Sequence, residues 1–171
     1  MFVVLYSQGT DACPDKCYCR ESYVCYGTYV YCGGRGLNGV PTNIPMDTCD
    51  LTLWNNDITT LQNGIFDGLT NLQTLYLSGN KIATLQTGSF RKLTNMYTLD
   101  LSENKITTLQ IGSLDQLANL HTLHLESNKI AALPNGIFDA LTMLKRLDLG
   151  ENKITTLPNG IFDALTKLDT L

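Results

Sequence analysis

Asp100, His124 and Asp148 stand 24 residues apart, and Glu126 follows His124 by two positions. Tyr97, His121 and Lys145 keep the same interval, with Arg146 beside Lys145. Tyr76 lies in the frame of Asp100, and Trp54 in the frame of Glu126. Rigid aromatic rings next to carboxylates, imidazoles and cations suit recognition, because rings supply contact area at small entropic cost and charges supply complementarity. Asp100, His124, Asp148 and Glu126 could also hold a divalent ion, but His121 and His124 lack a ligand spacing, so no metal is assigned. No G-x-S-x-G, H-E-x-x-H or phosphate-loop motif occurs, so neither an enzyme nor a cofactor is expected.

The interval is a property of the whole chain. Asn56, Asn80, Asn104, Asn128 and Asn152 recur every 24 residues within one apolar grid, as in Leu99, Leu101, Ile106 and Leu109 around Asn104. Leucines at period two point inward from a short strand while the residues between them face out. The buried Asn amide can satisfy backbone groups at the bend that follows. Phe66, Phe90, Phe138 and Phe162 should stack on the far side, with Leu114 as the exception. The pattern L-x-x-L-x-L-x-x-N-x-L is the leucine-rich repeat signature. It predicts an α/β leucine-rich repeat solenoid, a horseshoe with a parallel concave β-sheet and with loops and short helical turns on the convex side.

All six cysteines precede the second repeat: Cys13, Cys17, Cys19, Cys25, Cys32 and Cys49. An even number in so short a segment reads as a disulfide framework made in an oxidising compartment, rather than zinc on Cys17-x-Cys19. Tyr23–Tyr26 and Tyr29–Cys32 alternate around Gly27-Thr28 as a β-hairpin. The run Cys13-Pro-x-x-Cys17-x-Cys19, with Cys32 and Leu37-x-x-Val40-Pro41 after it, resembles the N-terminal cap of extracellular leucine-rich repeat proteins. That resemblance implies the pairs Cys13–Cys19 and Cys17–Cys32; Cys25–Cys49 is assigned by elimination, although six cysteines allow fifteen schemes.

Three regions follow: 1–12 as a leader remnant or tag, 13–47 as a cysteine-rich N-terminal cap, and 48–171 as five repeats plus a partial sixth without a C-terminal cap. Leucines at that open end are expected to favour a homodimer. A net charge of −4 without a basic cluster argues against nucleic acid, and no apolar run is long enough for direct membrane insertion.

Repeats four and five locate the variable surface. Of the sixteen residues from Asn128 and from Asn152, thirteen are identical. Yet His121, Thr122, His124, Glu126 and Ser127 become Lys145, Arg146, Asp148, Gly150 and Glu151. Drift at solvent-facing positions explains poorly why the exposed convex loops stay constant. A diversified strand face on a fixed frame is the logic of a binding surface. The modules N-G-I-F-D-A-L-T-x-L and N-K-I-x-x-L-P, behind the C-P-x-x-C-x-C cap, look like variable lymphocyte receptors of jawless vertebrates.

The resemblance implies an extracellular immune receptor, secreted or surface-tethered, binding a microbial surface glycan or a protein antigen through its concave face. Candidate contacts are Trp54, Tyr76, Tyr97, Asp100, His121, His124, Glu126, Lys145, Arg146 and Asp148. An innate receptor of another lineage, a Toll-like receptor ectodomain, or an adhesion or matrix module with one fixed protein partner would use the same repeats.

Overall fold

The computed structural model describes residues 13–171; the expected leader or tag at 1–12 lies outside them. Nine short strands occur among the described residues: β1 (Tyr18–Glu21), β2 (Thr28–Tyr31), β3 (Thr48–Thr52), β4 (Thr74–Tyr76), β5 (Thr84–Leu85), β6 (Thr98–Asp100), β7 (Thr108–Leu109), β8 (Thr122–His124) and β9 (Arg146–Asp148). Seven form one sheet in the order β1-β2-β3-β4-β6-β8-β9. Its pairs are parallel except β1–β2, and an isolated parallel bridge joins Arg146 to Thr170. β5 and β7 pair separately on the return side.

The register has no slip from repeat to repeat. Leu51, Leu75, Leu99, Leu123 and Leu147 stand side by side and are fully buried. A one-residue slip would turn every strand leucine to solvent, so the hydrophobic pattern itself fixes the pairing. The far half of the core is filled by rings: Phe66 stacks on Phe90 at 6.3 Å and Phe138 on Phe162 at 6.2 Å. Leu114 divides the spine into those two pairs. Gly64 shows why the loop before each Phe position repeats: its φ is +75°, a conformation that costs a residue with a Cβ.

Asparagines tie consecutive repeats together. Asn104 Oδ1 accepts from Ile82 N at 3.0 Å, while its Nδ2 donates to the carbonyls of Leu77, Leu101 and Ser102. Asn80, Asn128 and Asn152 repeat the pattern, and Asn56 bonds the cap through Cys32 O and the amides of Arg35 and Leu37. Each amide therefore belongs to two repeats at once.

The convex side carries the expected loops and short turns, with no helix among the described residues. The turns are closed by i→i+3 bonds, such as Ile65 N to Gln62 O, Asp67 N to Gly64 O and Leu69 N to Phe66 O. One expectation is corrected. The cap hairpin is displaced: its first strand is Tyr18–Glu21, and Tyr23–Tyr26 lie in the connecting loop. Disulfides Cys13–Cys19, Cys17–Cys32 and Cys25–Cys49 explain the shift. The second bonds the residue just before β1 to the one just after β2, while the third draws the loop toward β3 and leaves Tyr23, Val24 and Tyr26 exposed.

Three disulfides in the cap place the protein in an oxidising compartment. Among the described residues no helix is long and apolar enough to cross a membrane.

Candidate concave binding face

Strand alternation sends every second side chain out of the core, and the parallel register gathers those side chains into columns. One column runs Tyr31, Thr52, Tyr76, Asp100, His124, Asp148; beside it run Tyr29, Asp50, Thr74, Thr98, Thr122, Arg146. Trp54, Ser78, Ser102 and Glu126 follow the strands at the same interval. Tyr97, His121 and Lys145 line the strand entrance, where His121 N and Lys145 N donate to Tyr97 O and His121 O. All ten sequence-derived candidates thus share one surface, divided into an aromatic end near the cap and a charged end toward β9.

At the aromatic end, Trp54 and Tyr76 are each 37% exposed. Trp54 meets Tyr31 edge-on at 6.4 Å and lies against the backbone of Gly33, where an added Cβ would sit 2.6 Å from its Nε1. The ring therefore covers the cap with one side and offers the other to solvent. Burial, followed by the negative charges of Asp50 and Asp100, pushes the Tyr76 phenol above its ordinary range. Tyr76 consequently stays an O–H donor at neutral pH.

Five residues at this end were not among the candidates. Tyr29 and Tyr31 reach the face because β2 joins the sheet in parallel with β3. Arg20 lies 4.9 Å over the Tyr29 ring, and Arg35 6.0 Å over Tyr31. The period-two spacing of Tyr29 and Tyr31 around buried Val30 was the available signal, read only as a cap hairpin. Asp50 lies opposite Tyr29, with its Oδ1 buried and without a hydrogen-bond partner. Burial raises its pKa, against the lowering effect of Arg20.

The sign of a pH effect follows directly. A carboxyl with a raised folded pKa takes up its proton more readily folded than unfolded, so its contribution to stability declines as pH rises through that range. Asp50→Asn is therefore expected to melt slightly above the parent at neutral pH. The difference should close as pH falls below the ordinary carboxylate range, which thermal melting across pH would check.

At the charged end, Tyr97 and His121 stack with centroids 4.1 Å apart and an interplanar angle of 15°. His121 Nδ1 lies 2.8 Å from Asn119 O, which fixes the ring. Asp100 Oδ1 accepts from Ser102 N and Ser102 Oγ, and Asp148 Oδ1 accepts from Gly150 N. His124 stands between Asp100 and Asp148 in the register, and its Nδ1 lies 3.4 Å from Glu126 Oε2. Lys145 and Arg146 make no ion pair among the described residues. An apolar groove of about 650 Å³, lined by Leu149, Ile154, Leu157, Phe162 and Leu171 and bordered by Asp148, lies at the last repeat rather than at the aromatic end.

The leucine-rich repeat family model matches residues 50–106, 70–130 and 118–171, which together take in most of the chain. The protein is a leucine-rich repeat protein. It is 38% identical to mouse vasorin over 78 residues, covering 46% of this chain and 11% of vasorin. It is 40% identical to the human platelet glycoprotein Ib beta chain over 73 residues, 42% of this chain and 32% of that protein. Biglycan of Xenopus laevis matches at 40% over 67 residues, 39% of this chain and 17% of biglycan. The chain thus spans at most about a third of the length of these relatives.

Proposed function

We propose that this leucine-rich repeat protein is the recognition part of an extracellular immune receptor, similar to variable lymphocyte receptors. It binds a microbial or antigen surface, glycan or protein, through the concave face. One observation carries this reading: repeats four and five keep nearly identical convex turns while their strand residues facing the concave side all differ. Solvent-open rings at Trp54, Tyr76 and Tyr97 supply anchors, and Asp100, His121, His124, Glu126, Lys145, Arg146 and Asp148 supply charge. Binding rather than catalysis suits the site, since these side chains spread along a sheet instead of converging on one reacting atom.

The direct test is binding of the purified protein to a glycan array and to a panel of whole bacteria. Saturable binding to a subset of either is expected. If it binds neither, the immune reading fails and an adhesion or matrix module with one fixed protein partner takes its place. The likeness to a platelet glycoprotein chain and to biglycan favours that second reading.

A further inference from the structure

His124, Glu126 and Asp148 each place one ligand atom within 4.8 Å of the other two. Sequence spacing offered Asp100, His124, Asp148 and Glu126 but assigned no metal; the fold brings three of those four together. Strand pairing puts Asp148 beside His124, and strand alternation returns Glu126 to the face of His124 two residues later. A second observation points to an occupant. His124 Nδ1 and Glu126 Oε2 are both shielded from solvent and have no hydrogen-bond partner. They approach to 3.4 Å, within ion-pair range but without hydrogen-bonding geometry.

A neutral imidazole nitrogen and a carboxylate oxygen facing one another are both acceptors, and a cation between them satisfies both. We propose that His124, Glu126 and Asp148 form a site for a divalent transition-metal ion on the concave face. One imidazole with two carboxylates favours zinc and its first-row neighbours over calcium or magnesium, which prefer all-oxygen shells. Two carboxylates also match the ion's charge, and neither is paired with a Lys or Arg among the described residues. Asp148 is already oriented, since the Gly150 amide holds Oδ1 at 3.1 Å.

Zinc–nitrogen and zinc–oxygen bonds of about 2.0–2.2 Å at tetrahedral angles set ligand atoms roughly 3.4 Å apart. His124 Nδ1 and Glu126 Oε2 already stand 3.4 Å apart, and side-chain rotation must bring the Asp148 carboxylate closer, since the three ligand atoms lie within 4.8 Å of one another. Three protein ligands leave a coordination position for water or an oxygen of a bound molecule. The six cysteines are bridged and do not compete for the ion.

Calorimetric titration of the intact protein with Zn²⁺, and separately with Ca²⁺, tests the site without any knowledge of the receptor's ligand. One zinc per chain is expected, with calcium much weaker. His124→Asn and Glu126→Gln should each weaken zinc by more than about tenfold, while His121→Asn leaves it unchanged. NMR should show the His124 imidazole signals moving on zinc addition and those of His121 staying in place. Absence of zinc binding, equal binding of calcium, or an equal loss in His121→Asn overturns the proposal. If His124→Asn does not fold, Glu126→Gln and the imidazole signals still decide the question.

Discussion

Replacing Asn104 by alanine is expected to destabilise the protein by about 2–4 kcal/mol, measured as a shift in the denaturant midpoint at an unchanged slope. Asn104 is buried at the middle of the solenoid, and its four hydrogen bonds reach two consecutive repeats. Not every partner is orphaned by the change. Leu77 O keeps a bond from Asn80, Leu101 O keeps one from Asn128, and Ser102 O keeps one from Gly79 N. The buried Ile82 amide loses its acceptor outright.

An unsatisfied buried donor costs about 1–3 kcal/mol, and the lost shared bonds and the small void add to it. Position within the ladder supplies the control. Asn152 is partly exposed, so water can replace its amide, and Asn152→Ala should cost clearly less. Asn104→Asp should be worse than alanine, because it sets a buried carboxylate against three carbonyl oxygens. Equal costs for Asn104→Ala and Asn152→Ala would show that the amides do not couple the repeats.

The ladder, the leucine columns and the Phe pairs were legible in the sequence because a repeat states each constraint several times. Asn at one interval, always followed two residues later by Ile, leaves one way for the chain to bury its apolar side. The hairpin was not legible for the complementary reason: the cap occurs once. Tyr23–Tyr26 alternate as well as any strand, and only the bonds of Cys17, Cys25, Cys32 and Cys49 decide which stretch lies in the sheet. The convex turns were legible for the same reason as the ladder, because the glycine that opens each series recurs at one position, where its φ is positive.

Legibility of the concave face was divided along the same line. Columns within the repeats followed from counting, since residues 24 apart become neighbours once the strands pair in register. The contribution of Tyr29, Tyr31, Arg20 and Arg35 depended on a parallel β2–β3 pairing that no repeat announces. Nor could the buried, unpartnered atoms of Asp50, His124 and Glu126 be counted from spacing, because side-chain satisfaction depends on rotamer and neighbours together.

Tyr76→Ala is expected to weaken binding of a ligand found on the glycan or bacterial panel by about 2 kcal/mol, roughly thirtyfold, with little change in melting temperature. Tyr76 stands mid-column between Thr52 and Asp100, with over a third of it open. Truncation removes a rigid ring from the face and leaves buried Leu75 and Leu77 as they were. Tyr76→Phe separates ring from hydroxyl: the phenol keeps its proton, and loss in this variant measures the hydroxyl's hydrogen bonding to the ligand. Trp54→Ala should behave differently, reducing both affinity and melting temperature, since one side of that ring rests on Gly33 and Tyr31. Paired titration and melting curves distinguish the two positions. Full affinity in Tyr76→Ala and in Trp54→Ala would remove the aromatic end from the binding face, and with it the reading that a diversified strand surface serves recognition.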